Sequence, residues 1–488
     1  MPEGSGPRPG APGRHKRRST PPIDPCLITA EGLVRFYRRH ILSPLEVTQA
    51  VLARAERLNP ALNAVVTLDS AGALEAARAS EARWAAGCPL GPLDGVPLTV
   101  KDNIPVAGLR CSWGSATHRD FIPARDELPV ARLRAAGAVI LGKTNVPEFT
   151  LEGYTSNALF GPTHNPWNTD LTPGGSSGGA VAAVAAGLGP LAIGTDGGGS
   201  IRRPASHTGL VGMKPTPGRV PRADGLPPIL LDLEVIGPIA RTLGDAAILL
   251  SVMAAPDPVR DPASRGLPPF LPPDEMPRLR IRYVPYFPGH PVDPGIAASV
   301  ATAARGLAAL GHEVEEGPPP FDVETVLPLF GAIGGAGLAW LLSTLPGNPD
   351  PRSPNLLAMA QAGRAMPAGA LMAALDGMAA FRRQIAGFLT TECDAILTPS
   401  AAALPWSAGE SHPPVIDGQP VGPRGHAVFT NFANLGGLPA LALPCDPVGG
   451  LPCGFQLVGP PGSDAVLMAV GAEYEAAHPW ADRWPPLA

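Results

Sequence analysis

Between Thr172 and Pro204 the chain reads Thr-Pro-Gly-Gly-Ser-Ser-Gly-Gly, then a run of small apolar residues, then Gly-Thr-Asp-Gly-Gly-Gly-Ser-Ile-Arg-Arg-Pro. No other stretch constrains the fold as much. Glycine loses more conformational freedom on folding than any other residue, so it is concentrated where the backbone must approach something closely. Two glycine-wrapped serines, Ser176 and Ser200, stand 24 residues apart with an apolar, strand-like segment between them. Any fold of this chain has to carry two glycine loops on that segment.

The flanking sequence alternates strand-like and helical patterns. Ser43-Pro44-Leu45-Glu46 is a helix start, with a cap residue, proline at the first helical position and glutamate at the third. Strands are expected at Ala64–Leu68, Pro97–Val100, Ala138–Leu141, Leu210–Lys214 and Leu231–Ile239. Helices are expected at Asp69–Gly87, Leu128–Ala136 and Leu243–Met253. The alternation resumes with strand Arg280–Val284, helix Pro294–Leu310 and strand His312–Glu316. Residues 321–391 read as mostly helical, and strands return at Ala395–Leu397, Ala440–Leu443 and Phe455–Val458 before a last helix at Ala465–Ala477. This order predicts a layered α/β fold.

Composition narrows the partners. The 58 glycines and 63 prolines make about a quarter of the 488 residues, but they punctuate apolar periodic segments and so read as turns. A net charge of −5 gives no basic footprint for nucleic acid. Six cysteines without a C-x-x-C pair or partnering histidines argue against a zinc site or a disulfide framework, and for a reducing, cytoplasmic setting. Cys445 and Cys453 read as two small buried thiols, with a pair facing across a hairpin as the alternative. Residues 1–22, with Arg14-His15-Lys16-Arg17-Arg18, read as a disordered tail without a secretory h-region. The apolar Val326–Leu342 is short for a bilayer span and broken by glycines, so it is expected as a buried helix.

The glycine loops point to acyl-transfer chemistry. Gly197-Gly198-Gly199 before Ser200 can aim successive backbone N–H groups at one spot, as an oxyanion hole requires, with a helix expected from Ile201. Ser200 is the natural nucleophile. Asp196 is a weak base for a hydroxyl, and no histidine lies in the loops; His207 is the nearest. Lys101 follows the apolar run Val96–Val100, and a lysine emerging from a core has a lowered pKa and can accept a proton.

Leu93-Asp94-Gly95-Val96-Pro97-Leu98-Thr99-Val100-Lys101-Asp102, Gly174-Gly175-Ser176-Ser177-Gly178-Gly179 and Gly194-Thr195-Asp196-Gly197-Gly198-Gly199-Ser200-Ile201-Arg202 resemble the amidase signature family. The separations match too, 75 residues from Lys101 to Ser176 and 24 on to Ser200. The resemblance covers roughly 27–255 and recurs at 394–399 and 431–460. It implies a large mixed, twisted β-sheet sandwiched between helices. The expected organisation is a signature core over about 70–255, a helical substrate-pocket region over about 320–391 and C-terminal strands returning to the core over about 392–488, all within an amidase domain of 23–488.

The resemblance also implies a Ser–cis-Ser–Lys triad. Ser200 matches the nucleophile, Ser176 the bridging serine on a cis peptide, Lys101 the base, and Ser177, Asp196 and Arg202 the residues that orient the loops. The implied activity is hydrolysis of a linear carboxylic amide through an acyl-enzyme, without metal or cofactor. The expected partner is a small-molecule amide, with no nucleic acid and no membrane, and with room for a homodimer. Two alternatives share the core: an esterase, and the A subunit of a glutamyl-tRNA(Gln)-type amidotransferase. That amidotransferase component carries an arginine pair ahead of a tyrosine-rich helix; Ala358–Gln361 and Met366–Ala380 show neither, which favours the free-standing hydrolase.

Two rival motifs have the wrong context. Gly175–Gly179 fits G-x-S-x-G around Ser177, but the loop-forming Asn165–Asp170 precedes it instead of a strand. No G-K-[ST] follows the glycines, so they do not read as a phosphate cradle. Leu327, Phe330, Leu338 and Trp340 suggest an uncharged or aromatic acyl group. Arg382 and Arg383 read as surface charges or a carboxylate clamp, and His426 and Asn431, just before the C-terminal core motif, read as structural residues with pocket-facing as the alternative.

Overall fold

The computed structural model describes residues 24–487, so the expected tail over 1–22 lies outside the described residues. At Ser43 the start signal forms a complete capping box: Ser43 Oγ accepts from the Glu46 N–H (3.2 Å) and the Glu46 carboxylate from the Ser43 N–H (2.8 Å). The helix Pro44–Leu62 then lays Val47, Val51, Leu52 and Ala55 into the interior, as their spacing requires.

In chain order the strands are β1 (Val65–Leu68), β2 (Pro97–Lys101), β3 (Val139–Thr144), β4 (Leu191–Asp196), β5 (Val211–Lys214), β6 (Val235–Ala240), β7 (Arg280–Tyr283), β8 (Glu313–Glu316), β9 (Ala395–Pro399), β10 (Val415–Ile416), β11 (Gln419–Pro420), β12 (Ala440–Pro444) and β13 (Gly454–Val458). Eleven form one mixed sheet in the order β1-β3-β2-β4-β6-β5-β12-β13-β9-β7-β8, while β10 and β11 pair separately. The β3-β2-β4 and β9-β7-β8 runs are parallel and the joins between them antiparallel. Strands β2, β3 and β4 are buried along their whole length, the pattern of a sheet covered on both faces.

Sheet order fixes the position of the chemistry. Parallel neighbours β2 and β4 align Val100 with Ile193, so Lys101 and Thr195-Asp196 emerge together at the carboxyl edge, where open α/β sheets bind ligands.

The segment between the serines is not all strand. Gly178–Ala185 is helical and only Leu191–Asp196 is extended. Ala180, Val181, Val184 and Ala185 pack that helix onto Ala192, Ile201, Ala205 and Ile239, and the alanine-rich composition with Val181 and Val184 three apart suits the helix rather than the expected strand. A side chain at Gly179 would collide with the backbone of Asn145 and Ala64, which is why glycine stands there. The expected strand Leu231–Ile239 also shortens. Leu231–Leu233 forms a 3-10 turn, and the strand begins at Val235 once Asn434 has taken the Leu233 carbonyl (3.1 Å).

Residues 321–391 form three helices, Val323–Thr344, Pro354–Ala365 and Ala368–Thr391. By length and composition alone, Val323–Thr344 is long and apolar enough to cross a membrane. It buries Val326, Phe330, Ile333, Leu338 and Leu341 in the core and crosses Pro354–Ala365 where Gly363 abuts the Gly335 backbone, so that a side chain at Gly363 would strike the Gly335 carbonyl. Cys445 and Cys453 do face each other across β12 and β13, as free thiols with Sγ atoms 3.4 Å apart.

Candidate active site

Lys101, Ser176 and the β4 end come together in the interior. Lys101 Nζ lies 2.8 Å from Ser176 Oγ, 2.8 Å from Thr195 Oγ1 and 3.0 Å from the Thr195 carbonyl, and the lysine is 0% exposed. Burial pushes its pKa down to about 7, against the opposing pull of the Glu234 and Asp196 carboxylates. A neutral amine has two N–H groups and one lone pair. The Thr195 carbonyl can only accept, so one N–H points there, and Ser176 is placed to donate its hydroxyl proton to Nζ. The Gly175–Ser176 peptide bond is cis.

The two glycine loops are stitched to each other. The Ser177 N–H donates to the Ser200 carbonyl (3.1 Å) and Ser177 Oγ to the Thr195 carbonyl (3.2 Å). Ser200 is 7% exposed, against 1% for Ser176. It is thus the serine nearer to solvent and to an entering substrate.

The glycines divide their work. The Gly199 N–H donates to Asp196 Oδ1 (2.7 Å), so it is not available to an oxyanion; this corrects the expectation that all three glycines contribute. The N–H groups of Gly197, Gly198 and Ser200 have no acceptor among the described residues. Gly199 has φ +107°, and a side chain there would strike Thr430 and Arg203, so its glycine is structural.

Asp196 organises this turn. Its carboxylate accepts from the N–H groups of Gly199 and Ile201, from Arg202 Nε (3.0 Å) and Nη2 (2.9 Å), and from Asn434 Nδ2 (2.9 Å). Burial alone would raise its pKa, but the Arg202 guanidinium and these donors hold it far below the usual carboxylate range. Arg202 also donates to Gln456 Oε1 (2.7 Å) and Asn434 Oδ1 (2.6 Å), tying the loop to β13 and to the short helix Asn431–Leu435. The helix after Ser200 begins at Arg202 and runs to Thr208.

Several participants were not singled out from sequence. Thr195 contacts Lys101 with two atoms, and Asn103 Nδ2 donates to the Thr195 hydroxyl (3.1 Å). Arg203 donates to the Gly198 carbonyl, to Thr430 Oγ1 (2.7 Å) and to the Gly175 carbonyl (3.4 Å), joining both loops. The available signal was position: Asn103 follows Lys101-Asp102, Thr195 precedes Asp196, and Arg203 lies just beyond the last glycine.

Other candidates fall elsewhere. His207 is buried, with Nε2 3.1 Å from the Ala403 carbonyl, and burial lowers its pKa to about 4. Arg382 pairs with Asp232 (2.9 Å) rather than forming a carboxylate clamp. Of the four apolar residues expected at the pocket, Phe330 reaches the loop: a side chain at Gly198 would lie 3.0 Å from it and 2.8 Å from Asn431 Oδ1. Leu338 is in the core and Trp340 is 49% exposed, because the two lie on different faces of their helix. Among the described residues no group of three or more His, Cys, Asp or Glu side chains could hold a metal ion.

The chain is similar to known proteins in both sequence and fold. The Amidase family matches residues 46–468. The A subunit of the glutamyl-tRNA(Gln) amidotransferase of Moorella thermoacetica is 35% identical over 491 residues, covering 94% of this chain and 98% of the relative. Its counterpart in Azotobacter vinelandii is 36% identical over 487 residues, covering 94% and 99%. Among solved structures, a bacterial aryl acylamidase of the amidase signature family superposes with TM-score 0.85 at 29% identity, covering 93% and 97% of the two chains. The peptide amidase of Stenotrophomonas maltophilia gives 0.77 at 29% identity, covering 94% and 98%.

The sequence relatives overturn one expectation. A lone enzyme or homodimer acting on a small-molecule amide, with no nucleic acid involved, does not describe proteins that match this chain almost end to end and are named as one component of a tRNA amidotransferase. The local departure at 358–380 covers too little of the chain to offset that similarity. With the family matched over most of its length and the mixed sheet shared with solved signature enzymes, this chain belongs to the Amidase family, among the amidase signature enzymes.

Proposed function

We propose that the chain hydrolyses an amide C–N bond through an acyl-enzyme on Ser200 and works as the amide-cleaving component of a tRNA amidotransferase, supplying the released ammonia to a tRNA-linked acceptor. The observation that carries the chemistry is the 2.8 Å approach of Ser176 Oγ to a buried lysine whose pKa sits at about 7. Near-complete mutual coverage with two amidotransferase components supports the setting.

Ser200 Oγ attacks the amide carbonyl carbon while its proton passes to Ser176, whose own proton moves to the Lys101 lone pair. The oxyanion that forms is held by the free N–H groups of Gly197, Gly198 and Ser200, at positions Asp196 fixes in advance. Collapse expels the amine, which takes a proton back through Ser176. Water, activated by the same relay, then cleaves the ester and returns Ser200 with a carboxylic acid.

The test uses the purified chain alone and with the partner proteins of a homologous amidotransferase, with glutamyl-tRNA as acceptor. Ser200-dependent ammonia release that rises with partners and acceptor, together with amidated tRNA, is expected. Equal amide hydrolysis with and without them, and no amidated tRNA, would overturn the amidotransferase setting. Full turnover by Ser200→Ala would overturn the chemistry.

A further inference from the structure

Strands β12 and β13 end in a pair of thiols that the amide chemistry does not use. Their antiparallel pairing runs from Ala440 opposite Val458 to Pro444 opposite Gly454, so Cys445 and Cys453 stand opposite each other one step further on. The Cys445 N–H donates to the Cys453 carbonyl (3.1 Å), which holds that register. Both thiols are free, and their Sγ atoms lie 3.4 Å apart. Among the described residues no other cysteine Sγ lies within hydrogen-bond reach of a second one.

Residues directly opposite on antiparallel strands have Cα atoms about 4.5–5.5 Å apart, inside the range that a disulfide spans. Closing the bond brings the two sulfur atoms together by roughly 1.4 Å, a movement within reach of the side chains. Access is local as well. The pair is the last buried step before the hairpin tip: Cys445 is 6% and Cys453 2% exposed, whereas Asp446, Pro447, Gly449 and Gly450 are exposed. A small oxidant needs the tip to open and leaves the rest of the sheet closed. The Asp446 carbonyl, 3.1 Å from Cys453 Sγ, also accepts from Ser299 Oγ (2.7 Å), so Cys453 can give up its proton without stranding that acceptor. The hydrogen bond from Cys445 holds the Cys453 thiol below its ordinary pKa, which favours the nucleophilic thiolate there.

We propose that Cys445 and Cys453 form a redox-active dithiol that hydrogen peroxide converts to an intramolecular disulfide. Cys453 Sγ attacks one peroxide oxygen: an S–O bond forms, the O–O bond breaks, and the other oxygen leaves as water. Cys445 Sγ then displaces the hydroxyl from the Cys453 sulfenic acid, forming the S–S bond and releasing a second water. The two thiols give up two electrons and two protons, and the peroxide is reduced. A thiol reductant restores the pair, so in a reducing compartment the disulfide is transient, as in redox sensing. The bond staples the hairpin whose Gln456, three residues beyond Cys453, accepts from Arg202 (2.7 Å).

The experiment treats the folded wild-type chain with hydrogen peroxide, removes the excess with catalase, then denatures, alkylates and cleaves at Asp446, which lies between the two cysteines. Cys445 and Cys453 are expected to lose alkylation together, and the peptides on either side of the cut to stay joined until a thiol reductant is added. In Cys445→Ser the link is absent and dimedone traps Cys453 as the sulfenic acid. Full alkylation of both cysteines at a peroxide dose that oxidises the exposed Cys88 would overturn the proposal and leave them as packing thiols. So would a link from either one to a different cysteine, or a link that forms only in urea-unfolded protein.

Discussion

Thr195 grips Lys101 at two points, its hydroxyl 2.8 Å and its carbonyl 3.0 Å from Nζ, while Asn103 donates to the same hydroxyl. Two of the amine's directions are thereby occupied by a residue fixed in β4, and the third faces Ser176. In the proposed mechanism this arrangement leaves Ser176 as the partner to which Lys101 passes protons.

Replacing Thr195 by Val removes the hydroxyl but keeps the shape and the carbonyl. Losing one buried hydrogen bond of about 1–2 kcal/mol at the base lowers kcat by about 5- to 30-fold. KM moves less, because Thr195 does not touch the substrate. Steady-state kinetics on an amide substrate reads both, and an unchanged kcat would remove Thr195 from the relay.

Lys101 must be neutral to accept a proton, so kcat/KM rises with pH and reaches half its plateau at about 7. Burial sets that value and the Glu234 carboxylate opposes it. Glu234→Gln therefore weakens the charged form and moves the acid limb to lower pH. A pH–rate profile of the two proteins checks the direction, and a shift to higher pH would contradict it.

Stability carries the same lysine in reverse. Lys101 and Lys214 are both buried, with pKa values pushed down to about 7 from the ordinary 10.5, chiefly by desolvation. Between these limits the unfolded chain binds more protons than the folded one, so both lysines make stability rise with pH from about 7 to 10.5. Each adds a slope of up to about 1.4 kcal/mol per pH unit. Lys101→Met is expected to flatten the rise in Tm between about pH 7 and 9.5 relative to wild type, and an equal rise in both would refute the linkage.

Arg202→Leu leaves Asp196 buried without its cation. Breaking a buried pair in this way costs about 3–5 kcal/mol, and the freed carboxylate no longer shapes the glycine turn. Urea unfolding measures the loss. Gly199→Ala tests the same turn from the backbone side: the φ of +107° and the crowding by Thr430 and Arg203 predict loss of activity exceeding the loss of stability.

Local chemistry was legible where short-range rules act. The capping box at Ser43 and Glu46 formed as spaced, and most strands began within a residue or two of their apolar runs. The segment between Ser176 and Ser200 was not legible in full, since an all-apolar run of Ala and Val carries no polar face to mark its period, and packing against Ala192 and Ile239 goes with its helical half. Pocket residues were harder still. Leu338, Trp340 and Phe330 share a helix, and one of them reaches Gly198 because of how that helix crosses its neighbours.

By itself, then, the sequence supplied the groups of the proposed chemistry: Lys101 closing an apolar strand and Ser200 after three glycines from residue type, and Ser176 and the Asp196–Arg202 brace from the family resemblance. Tertiary structure decided what those groups contact. Parallel pairing of β2 with β4 put Thr195 against Lys101, the Asp196 carboxylate withdrew the Gly199 N–H from the free donors, and the crossing of Val323–Thr344 over the core brought Phe330 to Gly198. These are contacts between segments far apart in the chain, and their geometry follows from sheet order and helix crossing, which local pattern does not encode.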